Sequence, residues 1–215
     1  RAGASGYMIK PFTGAELTEA VKTFTRIHTG GRSEVITFFS PKGKSGKTTL
    51  VSNLAVAMAR KVNEPVAIID ADFQFGDQSV FLNLRPQSTI TEAIRDIEFL
   101  SPVTLKPYFV KVSENLHVLC GASKPEQVDV VTIDKFTSLI NMVKSLYGYV
   151  LIDMPSGFSD ITATACELST RTILMTMYNG GYEVVHMRRA LEIFKAWDDY
   201  EKRVELLFTR LVPGK

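Results

Sequence analysis

Short apolar runs alternate with segments of helical periodicity along most of this chain. The apolar runs predict strands at residues 35–40, 66–70, 116–120, 149–153, 172–177 and 204–209. The periodic segments predict helices at residues 47–60, 133–146, 161–168 and 183–197, with shorter helical pieces at 91–97 and 104–110. The run at 66–70 is apolar at nearly every position, which is typical of a strand buried on both faces. The pattern therefore predicts an α/β fold, with a mostly parallel sheet flanked by helices and ligands at the carboxyl ends of the strands.

A break in the pattern separates a short N-terminal segment from the main domain. Residues 30–33, with the sequence GGRS, predict a linker. Before this linker, a half-apolar run at 5–10 ends at Pro11, and residues 13–27 predict one helix with Thr13 as its N-cap. One strand and one helix are too few to bury a core. We therefore expect the main domain to occupy residues 34–215.

Composition and charge narrow the class of protein. Of the 215 residues 45% are hydrophobic, and 25 Lys and Arg against 23 Asp and Glu leave a net charge of +2. These values are typical of a folded globular protein and disfavour a DNA-binding surface without excluding one. No apolar stretch approaches the roughly 20 residues that cross a bilayer, so we expect a cytoplasmic protein without a transmembrane segment. Cys120 and Cys166 lack metal-ligand spacing and are expected to be reduced, buried thiols.

A glycine-containing loop, PKGKSGKTT at residues 41–49, joins the first predicted strand to the first predicted helix. Glycines in such a loop allow backbone N–H groups to point at phosphate oxygens, and the helix N-terminus adds partial positive charge. Lys47 would bridge the β and γ phosphates of a nucleotide, Thr48 would bind Mg²⁺, and Thr49 would reach the α phosphate. The residues predicted to bind nucleotide here are Gly43, Lys44, Ser45, Gly46, Lys47, Thr48 and Thr49.

Acidic residues end two of the other predicted strands. Asp70 and Asp72 follow the second strand, where alternation should bring both side chains to the side of the phosphate loop. Asp153 ends the strand at 149–153, where its carboxylate can hold Mg²⁺ through water. Gly157 lies just beyond and would let the backbone pivot towards a γ phosphate. These residues complete a predicted site for a nucleotide and Mg²⁺.

The phosphate loop resembles the deviant Walker A loop, KGGxGKT, of the MinD/ParA ATPase family. Pro41 stands where the usual P-loop has its first glycine, and an extra lysine, Lys42, precedes Gly43. The matching residues are Lys42, Gly43, Gly46, Lys47, Thr48 and Thr49, whereas Lys44 replaces a family glycine. The resemblance implies a three-layer P-loop NTPase fold and slow ATP hydrolysis. It also implies a homodimer that forms on ATP binding, in which Lys42 reaches the phosphates of the partner.

The same resemblance assigns roles to the acidic segments and to the last strand. DADFQFGD, at 70–77, resembles the family's DxD switch region, in which Asp72 would orient the attacking water and Asp70 would support it. DMPSG, at 153–157, resembles Walker B and switch II, with Asp153 at Mg²⁺ and Gly157 near the γ phosphate. In the last strand Thr209 stands in place of a family asparagine that meets adenine, and Arg210 keeps the family arginine.

The N-terminal segment AGASGYMIKPFTGAELTEAV is similar to the last strand and helix of a flavodoxin-like response-regulator receiver domain. The match rests on the pair Lys10 and Pro11 and predicts that residues 1–29 are the C-terminal part of such a domain. A whole receiver needs on the order of 100 residues, so we expect this chain to be a fragment, with material missing at both ends. A receiver joined to this ATPase resembles the CpaE/TadZ group, whose members localise type IV (Flp/Tad) pilus machinery.

Three other functions stay open at this point. A DNA-partitioning ATPase of the ParA type would need a basic surface, which a net charge of +2 does not favour. A division regulator of the MinD type would need a basic amphipathic helix for membrane binding, and we find none before Lys215. A non-hydrolysing scaffold would not need the full set of site residues. We therefore expect an ATPase that switches between monomer and dimer and acts at a cell pole or membrane through its partners.

Overall fold

The computed structural model describes residues 32–122, 129–177 and 181–209 of the chain. The predicted receiver-like segment at 1–29 lies outside the described residues, as do part of the linker at 30–33 and Arg210. Within the described part of the chain, no helix combines the length and apolar character that crossing a membrane requires.

The described residues form seven strands joined by helices. The strands are β1 Glu34–Ser40, β2 Val66–Asp70, β3 Val110–Ser113, β4 Leu116–Leu119, β5 Tyr149–Ser156, β6 Arg171–Met177 and β7 Val204–Thr209. The helices are α1 Lys47–Ala59, α2 Gln78–Phe81, α3 Ile90–Arg95, α4 Pro102–Leu105, α5 Ile133–Leu146, α6 Asp160–Leu168, α7 Tyr182–Phe194 and α8 Tyr200–Arg203. Single 3-10 turns occupy Ile97–Phe99 and Lys106–Tyr108.

The strands form one sheet in the order β3-β4-β2-β5-β1-β6-β7. Only the β3–β4 pair is antiparallel among these strands, and the other five pairs are parallel. The chain crosses from β1 over β5 to β2, and later from β5 over β1 to β6, so the direction of winding reverses at β1 and β5. Ligands of doubly wound sheets bind at such a switch point, beyond the carboxyl ends of the strands.

Helices bury both faces of the sheet, which confirms the predicted three-layer α/β architecture. Side chains alternate between the faces along each strand. Ile69 and Ile152 point into a core formed with α5, where Phe136 is fully buried. Ile68, the neighbour of Ile69, packs instead in a second core with Val51 of α1. This two-sided burial is the reason that β2 is apolar along its length, apart from Asp70 at its end.

Helix α5 shows how the sequence sets one of these layers. Thr132 caps it, since the Thr132 hydroxyl accepts a hydrogen bond from the backbone N–H of Lys135 at 3.3 Å. Its buried side chains recur every three or four positions, as the periodicity predicts, and are Phe136, Leu139, Ile140, Val143 and Leu146. The opposite side of α5 faces solvent.

The prediction of a helix at 104–110 was wrong in its second half. Helix α4 ends at Leu105, and Pro107 lies in the following 3-10 turn, where its missing N–H prevents further α-helical hydrogen bonding. Val110 instead begins β3, which pairs with β4 across the turn at Glu114 and Asn115. The prediction of a helix to residue 197 was also too long, because α7 ends at Phe194.

Arg203 holds the C-terminal end of α6 against the last strand. Its Nη2 atom lies 2.8–2.9 Å from the carbonyl oxygens of Cys166, Glu167 and Ser169 at the C-terminal end of α6. The guanidinium also lies 5.2 Å from the ring centroid of Trp197. A planar cation with several donors suits this position, because it can serve several carbonyls while stacking on a ring.

We predict that Arg203→Lys lowers the free energy of unfolding by about 2 kcal/mol, because an ammonium group cannot reach all three carbonyls and also stack on Trp197. Urea unfolding followed by circular dichroism measures this change. Arg188→Lys, at an exposed position of α7, is the control and should leave stability unchanged. Equal stability of Arg203→Lys and the wild type would contradict the role of Arg203.

Candidate functional site

The loop between β1 and α1 has the backbone geometry of an anion-binding loop. Gly46 immediately precedes α1 and has φ of 85°, a left-handed conformation that favours glycine. Helix α1 carries neither a side-chain cap nor an acidic residue in its first turn. The N–H groups of that turn are therefore available to an anion, and the helix dipole favours negative charge there.

Lys44 also adopts a left-handed conformation, with φ of 64°. A side chain at this φ costs about 1 kcal/mol relative to glycine, which accounts physically for the glycine that the MinD/ParA loop has at this place. Lys44 is exposed, and it lines the polar cavity beside the start of α1. The loop thus accepts backbone strain and places an additional cation at the cavity.

A polar cavity of about 180 Å³ lies where β1, β2 and β5 end. Six residues that the sequence predicted for the site line it together: Lys44, Lys47, Thr48, Asp70, Asp72 and Asp153. Its wall also includes Phe75, Asp77, Met154, Pro155 and Ser156. The order of the strands explains why these side chains lie together, since Asp70 and Asp153 are register partners on neighbouring strands.

Lys47 is the buried cation of this cavity. Only 8% of the residue is exposed, and its Nζ donates a hydrogen bond to the hydroxyl of Ser156 at 3.1 Å. Burial lowers the pKa of Lys47, whereas the negative charges of Asp153 and Asp72 oppose that shift. Sequence reasoning did not single out Ser156, although it lies inside the DMPSG segment that was assigned to the site.

Asp153 has one oxygen engaged and one oxygen available. Its Oδ2 accepts a hydrogen bond from the side-chain amide of Gln78 at 2.9 Å, whereas its buried Oδ1 has no hydrogen-bond partner. Burial raises the pKa of Asp153, and the Gln78 amide and the positive charge of Lys47 oppose this effect. A buried carboxylate oxygen without a partner, beside a threonine hydroxyl, fits a hard cation such as Mg²⁺.

Mg²⁺ would take only some of its ligands from the protein and the others from a nucleotide and water. Among the described residues, no group of three or more His, Cys, Asp or Glu side chains could hold a metal ion. Mg²⁺ commonly binds one or two protein oxygens, with phosphates and water supplying the other ligands. The pair Asp153 and Thr48 suits this mode of binding.

Asp70 is almost fully buried in the wall of the cavity. Its two oxygens accept hydrogen bonds from the backbone N–H groups of Asp72 at 3.2 Å and Gln78 at 3.0 Å. Burial, reinforced by the negative charge of Asp153, nevertheless raises the pKa of Asp70 to about 7. Gly76 and Gly121 pack over it so closely that a Cβ atom on Gly76 would lie 2.8 Å from Asp70 Oδ2. No residue with a side chain fits at either glycine without displacing its neighbours.

Asp72 is half-buried and organises its own loop. Its Oδ1 accepts hydrogen bonds from the backbone N–H groups of Gln74 at 3.0 Å and Phe75 at 2.9 Å. These bonds resemble an Asx turn, which fixes the side chain relative to the backbone. The carboxylate therefore lines the same cavity as Lys47, at a defined position.

The other predicted site residues lie outside this cavity. Lys42, Gly43 and Ser45 line a neighbouring cavity of about 220 Å³, whose other wall includes Tyr182, Glu183 and His186 of α7. Thr49 is exposed on α1. Gly157 has φ of 98° and lines an apolar cleft of about 590 Å³ between the segments that follow β2 and β5.

Thr209 links the last strand to the phosphate loop. Its hydroxyl donates a hydrogen bond to the carbonyl oxygen of Ser45 at 2.7 Å. Thr209 is therefore placed beside the nucleotide loop, and a role at adenine stays a prediction from the resemblance. The sequence also gave no indication of Gln78, which is fully buried and bonded to Asp153 behind the cavity wall.

We predict a decrease in stability with rising pH that comes from Asp70. The folded protein keeps the Asp70 proton up to about pH 7, whereas an unfolded aspartate releases it near pH 4. Between these values the folded state binds more protons, so the free energy of unfolding falls as pH rises, by about 2.5 kcal/mol between pH 5 and pH 8.

Urea unfolding at pH 5 and pH 8 measures this difference, which should be smaller in Asp70→Asn. Asp134→Asn, which removes an exposed carboxylate from the first turn of α5, is the matched control and should keep the wild-type difference. If Asp70→Asn and the wild type lost stability equally, Asp70 would not be the group responsible.

Comparison with known proteins gives a family and a fold. A family model described as an AAA domain matches residues 33–195. The septum site-determining protein MinD of Synechocystis sp. is 29% identical over 146 residues, covering 67% of this chain and 53% of that protein. A putative septum site-determining protein MinD of Guillardia theta is 29% identical over 184 residues, covering 84% of this chain and 65% of the relative. The chain thus spans little more than half of the first of these relatives.

Solved structures agree on the architecture. A ParA family ATPase from Chlorobium tepidum superposes with a TM-score of 0.78 at 18% identity, covering 86% of this chain and 76% of that one. MinD from Pyrococcus horikoshii, complexed with Mg-ADP, superposes with a TM-score of 0.66 at 23% identity, covering 82% and 69%. The chain therefore belongs to the AAA_31 family of AAA domains and has the three-layer P-loop NTPase fold of the MinD and ParA proteins.

Proposed function

We propose that this protein binds and hydrolyses ATP with Mg²⁺ and uses the nucleotide to control its own dimerisation. One observation carries the proposal: the cavity joins the buried ammonium of Lys47 and the uncapped N-terminus of α1 to an unpartnered oxygen of Asp153. Cationic donors on one side and a hard oxygen ligand on the other match a phosphate chain with a bound divalent cation.

The residues of the cavity would have different roles in binding and hydrolysis. Lys47 would exchange its hydrogen bond with Ser156 for the β and γ phosphates, where its charge stabilises the transition state. Thr48 and Asp153 would hold Mg²⁺, which neutralises charge on the phosphates when it is bound. Asp72 would orient the attacking water, because its loop fixes the carboxylate at the cavity wall.

The position of Lys42 supports a role between two subunits. Lys42 is exposed and lines the neighbouring cavity with residues of α7, whereas Lys47 occupies the polar cavity of its own chain. A second cation that meets the phosphates only on dimerisation would make hydrolysis depend on the dimer. We therefore infer a homodimer that forms with ATP and separates after slow hydrolysis.

The cellular role that we propose is the positioning of type IV (Flp/Tad) pilus or secretion machinery, at a pole or at the membrane through partner proteins. Support comes from the receiver-like sequence at 1–29 and from DADFQFGD at 70–77 and DMPSGFSD at 153–160, which resemble the switch segments of the CpaE/TadZ group.

A second candidate is placement of the division site or partitioning of DNA. It is favoured by the names of relatives, which include septum site-determining proteins and a plasmid partition protein. A scaffold that binds nucleotide without hydrolysing it is a third candidate, and measured turnover separates it from the others.

We predict that ATP with Mg²⁺ converts the wild type from monomer to dimer in size-exclusion chromatography. Lys47→Ala should stay monomeric, because it removes the buried cation that meets the phosphates. Lys61→Ala, at an exposed position after α1, is the control and should dimerise normally. A wild-type elution volume that ATP leaves unchanged would contradict the dimerisation switch.

We predict that Asp72→Ala slows ATP hydrolysis by about 100-fold or more, because the attacking water loses its orienting group. The variant should still dimerise with ATP and should remain dimeric for longer than the wild type. Phosphate release and chromatography over time measure the two effects, with the exposed Asp198→Ala as the control. Normal turnover in Asp72→Ala would remove Asp72 from the mechanism.

A further inference from the structure

A fully buried glutamine stands behind the wall of the cavity, in a position that neither the motifs nor the mechanism above explains. Gln78 is the first residue of the short helix α2 and is 0% exposed. Burial of an amide is unfavourable unless its donors and acceptor find partners. The partners of Gln78 therefore indicate why a glutamine occupies this place.

Gln78 connects three segments of the chain that meet at the cavity. Its backbone N–H donates to Asp70 Oδ2 at 3.0 Å, at the end of β2. Its side-chain Nε2 donates to Asp153 Oδ2 at 2.9 Å, on β5. Its Oε1 accepts from the hydroxyl of Ser52 at 2.8 Å, on α1. The same hydroxyl lies 2.7 Å from the carbonyl oxygen of Thr48, one turn earlier. The single proton of the Ser52 hydroxyl can serve only one of these two acceptors at a time. Gln78 thus contacts Asp153 directly and lies next to Thr48 through Ser52.

These contacts fix the orientation of the amide. An ionised carboxylate only accepts hydrogen bonds, so the NH₂ group of Gln78 must face Asp153 and its carbonyl oxygen must face Ser52. The NH₂ group then donates its hydrogen bond to Oδ2 of Asp153, and Oδ1 is the oxygen without a partner. Outer partners of this kind orient the ligands of a metal and tune its affinity.

We propose that Gln78 is a positioning residue for Mg²⁺: it holds one oxygen of Asp153 and thereby aims the other oxygen at the cation. This inference rests on the proposed function, because it concerns the Mg²⁺ that accompanies the nucleotide. Gln78 does not touch the nucleotide or the reacting atoms in this role, and it acts through Asp153.

The role depends on the length of the side chain and on its donor. Asparagine is shorter by one carbon–carbon bond, about 1.5 Å, so its amide cannot span from α2 to Asp153 and Ser52 together. Methionine has a similar length and shape but offers no donor, so it keeps the packing and removes the hydrogen bond. Gln78→Met therefore isolates the hydrogen bond, and Gln78→Asn tests its geometry.

The experiment measures Mg²⁺ dependence separately from nucleotide binding. A fluorescent ADP analogue is titrated into the protein in EDTA, and Mg²⁺ is then titrated into the complex. We expect Gln78→Met and Gln78→Asn to raise the Mg²⁺ concentration at half-saturation by about tenfold or more. Affinity for the analogue in EDTA should stay within about twofold of the wild type, because the amide acts on the cation and not on the phosphates.

Gln74→Met is the matched control, since Gln74 lies in the same loop with an exposed side chain. It should keep the wild-type Mg²⁺ midpoint. Ser52→Ala provides a second route that leaves Gln78 in place, and removing the hydroxyl that holds Oε1 should raise the midpoint in the same direction. Melting curves followed by circular dichroism verify that each variant is folded.

The outcomes distinguish a failure of the proposed function from a failure of the role that we propose for Gln78. A wild type that does not bind the analogue would overturn the proposed function and this inference with it. Normal binding, with a Mg²⁺ midpoint that Gln78→Met leaves unchanged, would overturn this inference alone. Equal losses of affinity with and without Mg²⁺ would show that Gln78 only supports the fold, and would also overturn it. If Gln78→Met does not fold, a wild-type midpoint in Ser52→Ala overturns the inference instead.

Discussion

Two aspartates buried side by side impose the constraint on which the rest of the site depends. Asp70 and Asp153 end neighbouring strands in register and are 2% and 4% exposed. Buried carboxylates on neighbouring strands lose their hydration and repel each other when both are charged, so the pair requires compensating donors and cations or a retained proton. Backbone N–H groups serve Asp70, while the amide of Gln78 and the charge of Lys47 stabilise Asp153. The loops around the pair are thus arranged to supply these groups.

The order of the strands makes this arrangement possible. Strands β2, β5 and β1 are neighbours in the sheet although β5 follows β2 by some eighty residues in sequence. Their carboxyl ends therefore bring together the phosphate loop, the loop after β2 and the loop after β5. A cation from one loop and carboxylates from the two others face a single cavity, without any long insertion.

Much of the fold and of the site could be predicted from the sequence, because those features depend on local pattern. The phosphate loop, the buried strand β2 and the amphipathic α5 each carry their signal within about fifteen residues. Gln78 and Ser156 could not be predicted in this way, since their partners Asp153 and Lys47 lie 75 and 109 residues away. A glutamine at the start of a short helix such as α2 also has no local property that distinguishes a buried side chain from an exposed one. Strand β3 was missed because it is only four residues long and depends on pairing with β4.

The contact between Gly76 and Gly121 limits how the loop after β2 can rearrange. Backbone hydrogen bonds flank it, from Gly76 N–H to the carbonyl of Ala122 at 3.0 Å and from Ala122 N–H to the carbonyl of Asp72 at 3.1 Å. The loop is therefore anchored at both ends to the segment after β4. Asp72 is one of the anchored residues, and Phe73 is buried in the core beside Phe136. Any movement that preserves these contacts is confined to Gln74 and Phe75, and the Phe75 side chain is 67% exposed. An apolar ring therefore stands at the tip of the part that can move.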